Sequence, residues 1–175
     1  MLYRSDGRTA TQRAVDNVYR NVILVDLTLE ITRAKRLALA AADQSDPAAI
    51  QRAAGLLHAA GFAVSPLADT PGMLVTRTVA MLANEAAEAV HQGVCSVEDC
   101  DLAMCKGVNY PLGPLAWADA LGPARVVSIL DHLAHAYGED RYRVSPLLRR
   151  KAITSRRFHH PADGTPFSTH RPEPA

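Results

Sequence analysis

Apolar positions in the first part of the chain fall into short runs. Residues 22–25 form a continuous β-branched and apolar run, the pattern of a strand buried on both faces. Residues 36–40 and 62–67 are two further strand candidates. Between them, segment 46–61 opens with Asp-Pro, closes with Gly and spaces its apolar residues three and four apart, which predicts a helix. This order of elements predicts a three-strand α/β layer.

After residue 69 the apolar spacing becomes helical throughout. A long amphipathic helix is predicted from Pro71, with Asp69 as a candidate cap, to about Gln92. Four shorter helices follow, at 96–107, 114–122, 123–138 and 146–151. We therefore predict a mainly helical α+β chain: a reduced α/β layer over 1–68, a helical domain over 69–158, and an irregular, proline-rich tail over 159–175.

Composition narrows the class of protein. The 175 residues are 48% hydrophobic and 21% charged with a net charge of +1, so neither wholesale disorder nor a nucleic-acid partner is expected. Charged residues interrupt every apolar run well before the roughly 20 residues that span a bilayer. The first residues carry no apolar segment of the kind found in secretory signals. We expect a cytoplasmic protein without a membrane partner.

The spacing of the cysteines and of two histidines does not indicate a metal site. Cys95, Cys100 and Cys105 stand five residues apart, which spreads their thiols around a helix, and no Cys-x-x-Cys occurs. They are interpreted as reduced, mostly structural thiols. His132 and His135, three residues apart, have the spacing for a shared metal, but no carboxylate stands at a convincing ligand position. A solvated helix face is the favoured interpretation, and no metal site is predicted.

A basic group stands near the C-terminus. Arg156, Arg157, His159 and His160 lie close together in sequence. They form either a solvated chain end or a contact to an anionic ligand such as a nucleotide phosphate.

The α/β layer lacks the sequence features of a dinucleotide site. Such a site needs glycines where the first strand turns into its helix, yet the ten glycines never occur as Gly-x-Gly. No Gly-Lys-Ser/Thr phosphate loop occurs either. Asp-Leu-Thr-Leu follows the strand at 26–29, where side chains would block a pyrophosphate. We predict that this chain itself binds no cofactor.

Three stretches of the helical part carry a specific combination of residues. They are Asp-Thr-Pro-Gly-Met-Leu-Val-Thr-Arg at 69–77, Asn-Glu-Ala at 84–86 and Gly-Val-Asn-Tyr-Pro-Leu-Gly-Pro at 107–114. They closely resemble the C-terminal domain of the 3-hydroxyacyl-CoA dehydrogenases. Ser-Asp-Gly-Arg-Thr-Ala-Thr at 5–11 resembles the region before a second, duplicated C-terminal domain in 3-hydroxybutyryl-CoA dehydrogenases. The resemblance implies a relic Rossmann layer, at the end of a tandem enzyme or in a free-standing version.

The resemblance also implies where the chemistry lies. In this family a His–Glu pair and NAD transfer hydride within an N-terminal Rossmann domain, which this sequence lacks, so we assign no catalytic residue here. The family's substrate-bonding Asn corresponds to Thr76, whose hydroxyl is either a shorter donor or a structural helix residue. Glu85 and Asp119 match family acids, and we expect them to cap helices or hydrogen-bond between them.

A turn rich in proline and glycine is the remaining candidate. Two prolines fix φ, and Gly113 can supply a positive φ, so the backbone should be rigid. Tyr110, Leu112 and Pro114 correspond to the part of the family's domain that forms the acyl pocket. The alternative is that the turn only packs one helix against the next.

These expectations combine into two hypotheses. In the first, the chain is the substrate-binding and dimerisation portion of an NAD-dependent 3-hydroxyacyl-CoA dehydrogenase of fatty-acid or aromatic-acid breakdown. It would form a homodimer, bind acyl-CoA and depend on a Rossmann domain that is fused upstream or supplied by a partner, because NAD serves only the full enzyme. In the second, it is a non-catalytic helical module that dimerises or scaffolds a partner.

Overall fold

A computed structural model describes residues 1–159, and the predictions for His160 and the rest of the tail lie outside that range. The strands are β1 Leu2–Arg4, β2 Ile23–Val25, β3 Arg36–Ala41 and β4 Ala63–Pro66. The helices are α1 Ala10–Asp16, α2 Pro47–Ala59, α3 Val75–His91, α4 Val97–Gly107, α5 Pro114–Leu121, α6 Pro123–Tyr137 and α7 Pro146–Ile153, with a 3-10 turn at Asp140–Tyr142. The predicted α+β class with a helical majority is confirmed.

The sheet lies between α1 and α2. Its order is β1-β2-β3-β4, with β1 parallel to β2, β2 antiparallel to β3, and β3 parallel to β4. Successive side chains of a strand point to opposite faces, so Leu24 packs with Ala10 of α1, whereas Ile23 packs with Ala49 of α2. The small alanine side chains let both helices approach the sheet closely.

The predicted three-strand layer is wrong in number, because β1 and α1 also belong to it. β1 has only three residues and is partly exposed, so it carries no buried apolar run. α1 buries only Ala10 and Ala14, too few apolar positions for a helical pattern to stand out. Both elements are short and depend on contacts with the rest of the layer.

The helical half is built around α3. This helix contacts α4, α5, α6 and α7, and its buried face is lined by the small residues Ala80, Ala83 and Ala87. Large side chains from the surrounding helices, including Leu130 and Leu148, fill the space against it. No helix in the described part of the chain is long and apolar enough to cross a membrane.

The predicted start of the long helix is wrong by four residues. Residues 71–74 form a turn in which Gly72 and Met73 have φ values of 71° and 48°, and α3 begins at Val75. Its N-terminus is capped from a distance: the Asp26 carboxylate accepts hydrogen bonds from the backbone N–H groups of Leu74, Val75 and Thr76, at 3.0, 2.7 and 2.9 Å. A residue at the end of β2 therefore satisfies N–H groups that the helix leaves unpaired.

The residue predicted to cap the long helix caps another helix. Asp69 accepts hydrogen bonds from the backbone N–H groups of Ala10 and Thr11, at 2.6 and 2.8 Å, at the N-terminus of α1. Because Asp69 lies on the connection to the helical half, this bond fastens α1 to that connection.

Replacing Asp26 should destabilise the whole chain. In Asp26→Asn the side chain presents an amide NH₂ group where backbone N–H groups now donate, so buried donors lose their acceptor. We expect a loss of about 2 kcal/mol in the free energy of unfolding, measured by urea denaturation. Asp43→Asn, at an exposed position, is the matched control and should be neutral. Equal stabilities of the two variants would contradict the role given to Asp26.

Candidate functional site

Thr76 is buried where the α/β layer meets α3. It is 1% exposed, and its hydroxyl donates to Asp26 Oδ1 at 2.8 Å and accepts from the Leu27 N–H at 3.2 Å. Both hydrogen-bonding roles of the hydroxyl are therefore used within the protein. This geometry favours the structural alternative for Thr76, and its contact with a substrate stays a prediction.

Tyr110 and Leu112 lie together in an apolar cluster beside the first turns of α3. We call this cluster the apolar corner; its buried members are Leu27, Val79 and Trp117, and its partly buried members are Val75, Leu82, Tyr110, Leu112 and Leu121. The Tyr110 and Trp117 rings have centroids 5.2 Å apart and an interplanar angle of 39°. The corner thus combines an aromatic pair with aliphatic side chains from α3, α5 and the β2 loop.

Exposed aliphatic residues adjoin the apolar corner in sequence. Leu74 precedes Val75 and is 58% exposed, and Val108 precedes the Tyr110 turn and is 53% exposed. Leu29 and Ile31, on the loop that follows Leu27, are 44% and 53% exposed. Each of these exposed residues stands within four positions of a member of the apolar corner along the chain.

The turn from Tyr110 to Pro114 is held by Asp101. Its carboxylate accepts hydrogen bonds from the N–H groups of Leu115 and Ala116, both at 2.9 Å, and so caps α5. Gly113 has φ −71°, so the predicted positive φ is wrong. Glycine is required here for a different reason: a Cβ at Gly113 would overlap the Asp101 carboxylate. Pro114 is fully buried at the first position of α5, away from any surface.

The family acids differ in what they do. Asp119 has the structural role predicted for it, since its carboxylate accepts from the N–H groups of Phe158 and His159 at 2.7 and 2.9 Å. Glu85 is exposed, and the neighbouring Asn84 makes the interhelical bonds instead. Asn84 donates to the Arg143 carbonyl at 2.9 Å and accepts from the Ser145 N–H at 2.8 Å.

His159 also has an internal role. Its Nδ1 lies 2.9 Å from Asp119 and its Nε2 lies 3.3 Å from Asp101. The imidazole is therefore held between two carboxylates, an internal role that neither alternative, a solvated chain end or a contact to an anionic ligand, gave to it. The sequence signal for this role was absent, because the three residues lie far apart along the chain.

The N-terminus of α1 occupies the place where a Rossmann layer binds pyrophosphate. Two of its N–H groups donate to Asp69, whose negative charge would repel a phosphate. The preceding turn is pressed against α6, since a Cβ at Gly7 would overlap the Ile129 carbonyl. The residues present do not fit a dinucleotide, because the N–H groups that would bind its phosphates already donate to the Asp69 carboxylate.

Polar and charged side chains fasten this turn to α6 and α1. Burial alone would raise the pKa of Asp6, but hydrogen bonding from Arg8 and the charge of Arg13 outweigh it and hold the pKa below its usual range. His132, predicted to be solvated, is half-buried, with Nδ1 2.7 Å from the Asp6 carbonyl. Within residues 1–159, no three His, Cys, Asp or Glu side chains gather as metal ligands would.

The thiol of Cys100 is poorly suited to nucleophilic chemistry. All three cysteines are free and partly buried. Burial, followed by the neighbouring Cys95 thiol, raises the pKa of Cys100 to about 11. Cys100 is therefore protonated at neutral pH and packs as a small apolar side chain.

Two family models match the chain in succession. The reduced Rossmann-fold domain of 3-hydroxybutyryl-CoA dehydrogenase matches residues 2–71, and the C-terminal domain of 3-hydroxyacyl-CoA dehydrogenase matches residues 72–162. The chain belongs to the 3-hydroxyacyl-CoA dehydrogenase family. The family resemblance predicted from the sequence is thereby confirmed for the α/β layer and for the helical domain.

Individual relatives agree with the family models. The chain is 42% identical over 153 residues to the 3-hydroxyadipyl-CoA dehydrogenase of Escherichia coli K12, covering 87% of this chain and 31% of that protein. It is 40% identical over 82 residues to a probable 3-hydroxybutyryl-CoA dehydrogenase of Deinococcus radiodurans, covering 47% and 30%. The crystal structure of 3-hydroxybutyryl-CoA dehydrogenase from E. coli K12 matches with a TM-score of 0.82 and 42% identity over 88% of this chain and 32% of that one. The chain thus spans about a third of the length of these relatives.

The close approach at Gly113 can be tested with a pair of glycine variants. Gly113→Ala should lower the free energy of unfolding by about 2 kcal/mol or more, because the new methyl group displaces the Asp101 carboxylate from the N-terminus of α5. Gly107→Ala is the matched control, since nothing lies within 4 Å of its added Cβ. It should leave stability unchanged or slightly raised. A Gly113→Ala protein as stable as Gly107→Ala, by thermal or urea unfolding, would refute this account of the turn.

Proposed function

We propose that the chain is the acyl-CoA-binding and dimer-forming portion of an NAD-dependent 3-hydroxyacyl-CoA dehydrogenase. The observation that carries the proposal is the apolar corner, which stands beside α3 with exposed aliphatic residues next to its members. The chain holds the acyl part of the substrate there. A Rossmann domain, fused upstream or supplied by a partner, provides NAD and the groups that transfer hydride.

The two halves of the chain support this division of labour. The α1 terminus is filled by Asp69, so the reduced layer serves as a structural base and not as a cofactor site. Asp26 in turn fixes the start of α3, which carries Val75 and Val79 into the apolar corner. The layer therefore acts by positioning the wall against which the acyl chain packs.

The pocket role of the corner is testable at Leu112. Leu112→Ala should weaken the binding of acetoacetyl-CoA to the full chain, measured by calorimetry. Because Leu112 is only partly buried, its truncation should cost less than the 2–5 kcal/mol typical of core leucines. Leu148→Ala, at a fully buried position in the helical core, should lose stability in that range and keep its affinity for the ligand. A large fall in melting temperature with unaltered affinity for Leu112→Ala would show that the turn is purely structural.

The purified chain should be inactive alone. With the α1 terminus filled, we expect no oxidation of NADH in the presence of acetoacetyl-CoA and no heat of NAD binding. The activity is followed by absorbance and the binding by calorimetry. Stoichiometric NAD binding with a micromolar dissociation constant would overturn this expectation.

We further propose a two-fold homodimer formed through the helical half. Val94, Leu102 and Val108, in and around α4, are exposed apolar residues of this half, at 73%, 56% and 53%. Light scattering at micromolar concentration should give twice the chain mass of 18.8 kDa. Leu102→Glu should restore the single-chain mass, whereas Val15→Glu, at an exposed position on α1, should not. A wild-type mass of 18.8 kDa would contradict the dimer.

One observation favours the second hypothesis, a non-catalytic helical module. The Thr76 hydroxyl, at the family's substrate-bonding position, is committed to Asp26 and Leu27. If millimolar acetoacetyl-CoA produces no binding signal while the dimer persists, the scaffold function replaces the acyl-CoA-binding one.

A further inference from the structure

Helix α7 and the residues that follow it carry an uninterrupted excess of positive charge. Between Pro146 and Phe158 there are five Arg or Lys residues and no Asp or Glu. A cleft of about 530 Å³ opens on this surface. It is lined by Leu147, Arg150, Lys151, Ile153, Thr154 and Arg156.

The cations of this segment differ in their partners. Arg149 is neutralised by Asp131, with the closest N–O distance 2.7 Å. Lys151 is held in place, because its Nζ donates to the Arg157 carbonyl at 2.8 Å and lies 5.6 Å from the Phe158 ring centroid. Arg150 and Arg156 are exposed, and neither forms an ion pair within residues 1–159. The positive charge of the cleft is therefore not neutralised by the described residues.

The cleft also contains apolar surface. Ile153 is 78% exposed, more than any other leucine or isoleucine of the described chain, and Leu147 is partly buried beside it. Aliphatic side chains offer packing surface for the flat face of a base, and guanidinium groups bind phosphate oxygens in a bidentate manner. A nucleoside that carries phosphate groups has both features, a flat base and anionic oxygens.

We propose that the cleft on α7 binds a phosphate-bearing nucleotide, with Arg150, Lys151 and Arg156 on the phosphates and Ile153 against the base. The anionic contact considered for residues 156–160 is thereby moved to α7, since His159 is engaged by Asp101 and Asp119. The proposal does not depend on the proposed function.

The test uses the full chain and 3′,5′-adenosine diphosphate, titrated by calorimetry at two salt concentrations. The wild type should bind, and its affinity should fall as salt rises. Arg150→Gln/Arg156→Gln should bind at least tenfold more weakly. Arg33→Gln/Arg52→Gln removes the same charge from exposed positions of the α/β layer and should bind as the wild type does. All four arginines are exposed, so thermal unfolding should confirm that both variants fold.

Two further ligands make the outcome specific. Ile153→Ser should weaken the binding of 3′,5′-adenosine diphosphate and leave the binding of pyrophosphate unchanged. Equal losses of affinity for the two ligands would show that Ile153 does not contact the base. No binding of adenosine diphosphate to the wild type, or equal losses in the two double variants, would overturn it. Acetoacetyl-pantetheine, which lacks the nucleotide, tests the apolar corner separately, so that either proposal can fail without the other.

Discussion

The hydrogen bonds of Asp26 connect the two halves of the molecule. A helix leaves its first N–H groups without partners, and buried donors of this kind cost free energy unless an acceptor is supplied. Asp26, at the end of β2, supplies it to α3, to which every other helix of the helical half is packed. The start of α3, which lies beside the apolar corner, is therefore fastened to the sheet layer by the Asp26 carboxylate.

Capping of backbone N–H groups by a carboxylate from another part of the chain recurs in this structure. Asp69 receives the N-terminal N–H groups of α1, Asp101 receives those of α5, and Asp119 holds the segment at 158–159. In each case a side chain from one element satisfies backbone groups of another that is distant in sequence. These bonds are short and directional, so they fix orientations that apolar packing alone would leave less specific.

The hydrogen bonds of Asp69 occupy a helix terminus that has another role in dinucleotide-binding layers. In a dinucleotide-binding layer the N-terminus of the first helix is kept for phosphate. In this chain that terminus is occupied by a carboxylate from the connection to α3, and Gly7 brings the preceding turn against α6. These contacts fasten the reduced layer to the connection that precedes α3 and to α6.

The sequence by itself determined the α+β class and most helices, because apolar periodicity and Pro or Gly boundaries are local signals. It indicated the family through the resemblance of the stretches at 69–77, 84–86 and 107–114. It missed β1 and α1, which are too short to carry such a signal. Only the tertiary structure showed that Asp69 caps α1 and that Asp26 caps α3. It also showed that residue 113 must be glycine because it lies so close to Asp101. The physical reason is that the donor to which a carboxylate bonds is set by which elements lie next to each other in the fold. The local sequence pattern carries no information about those contacts.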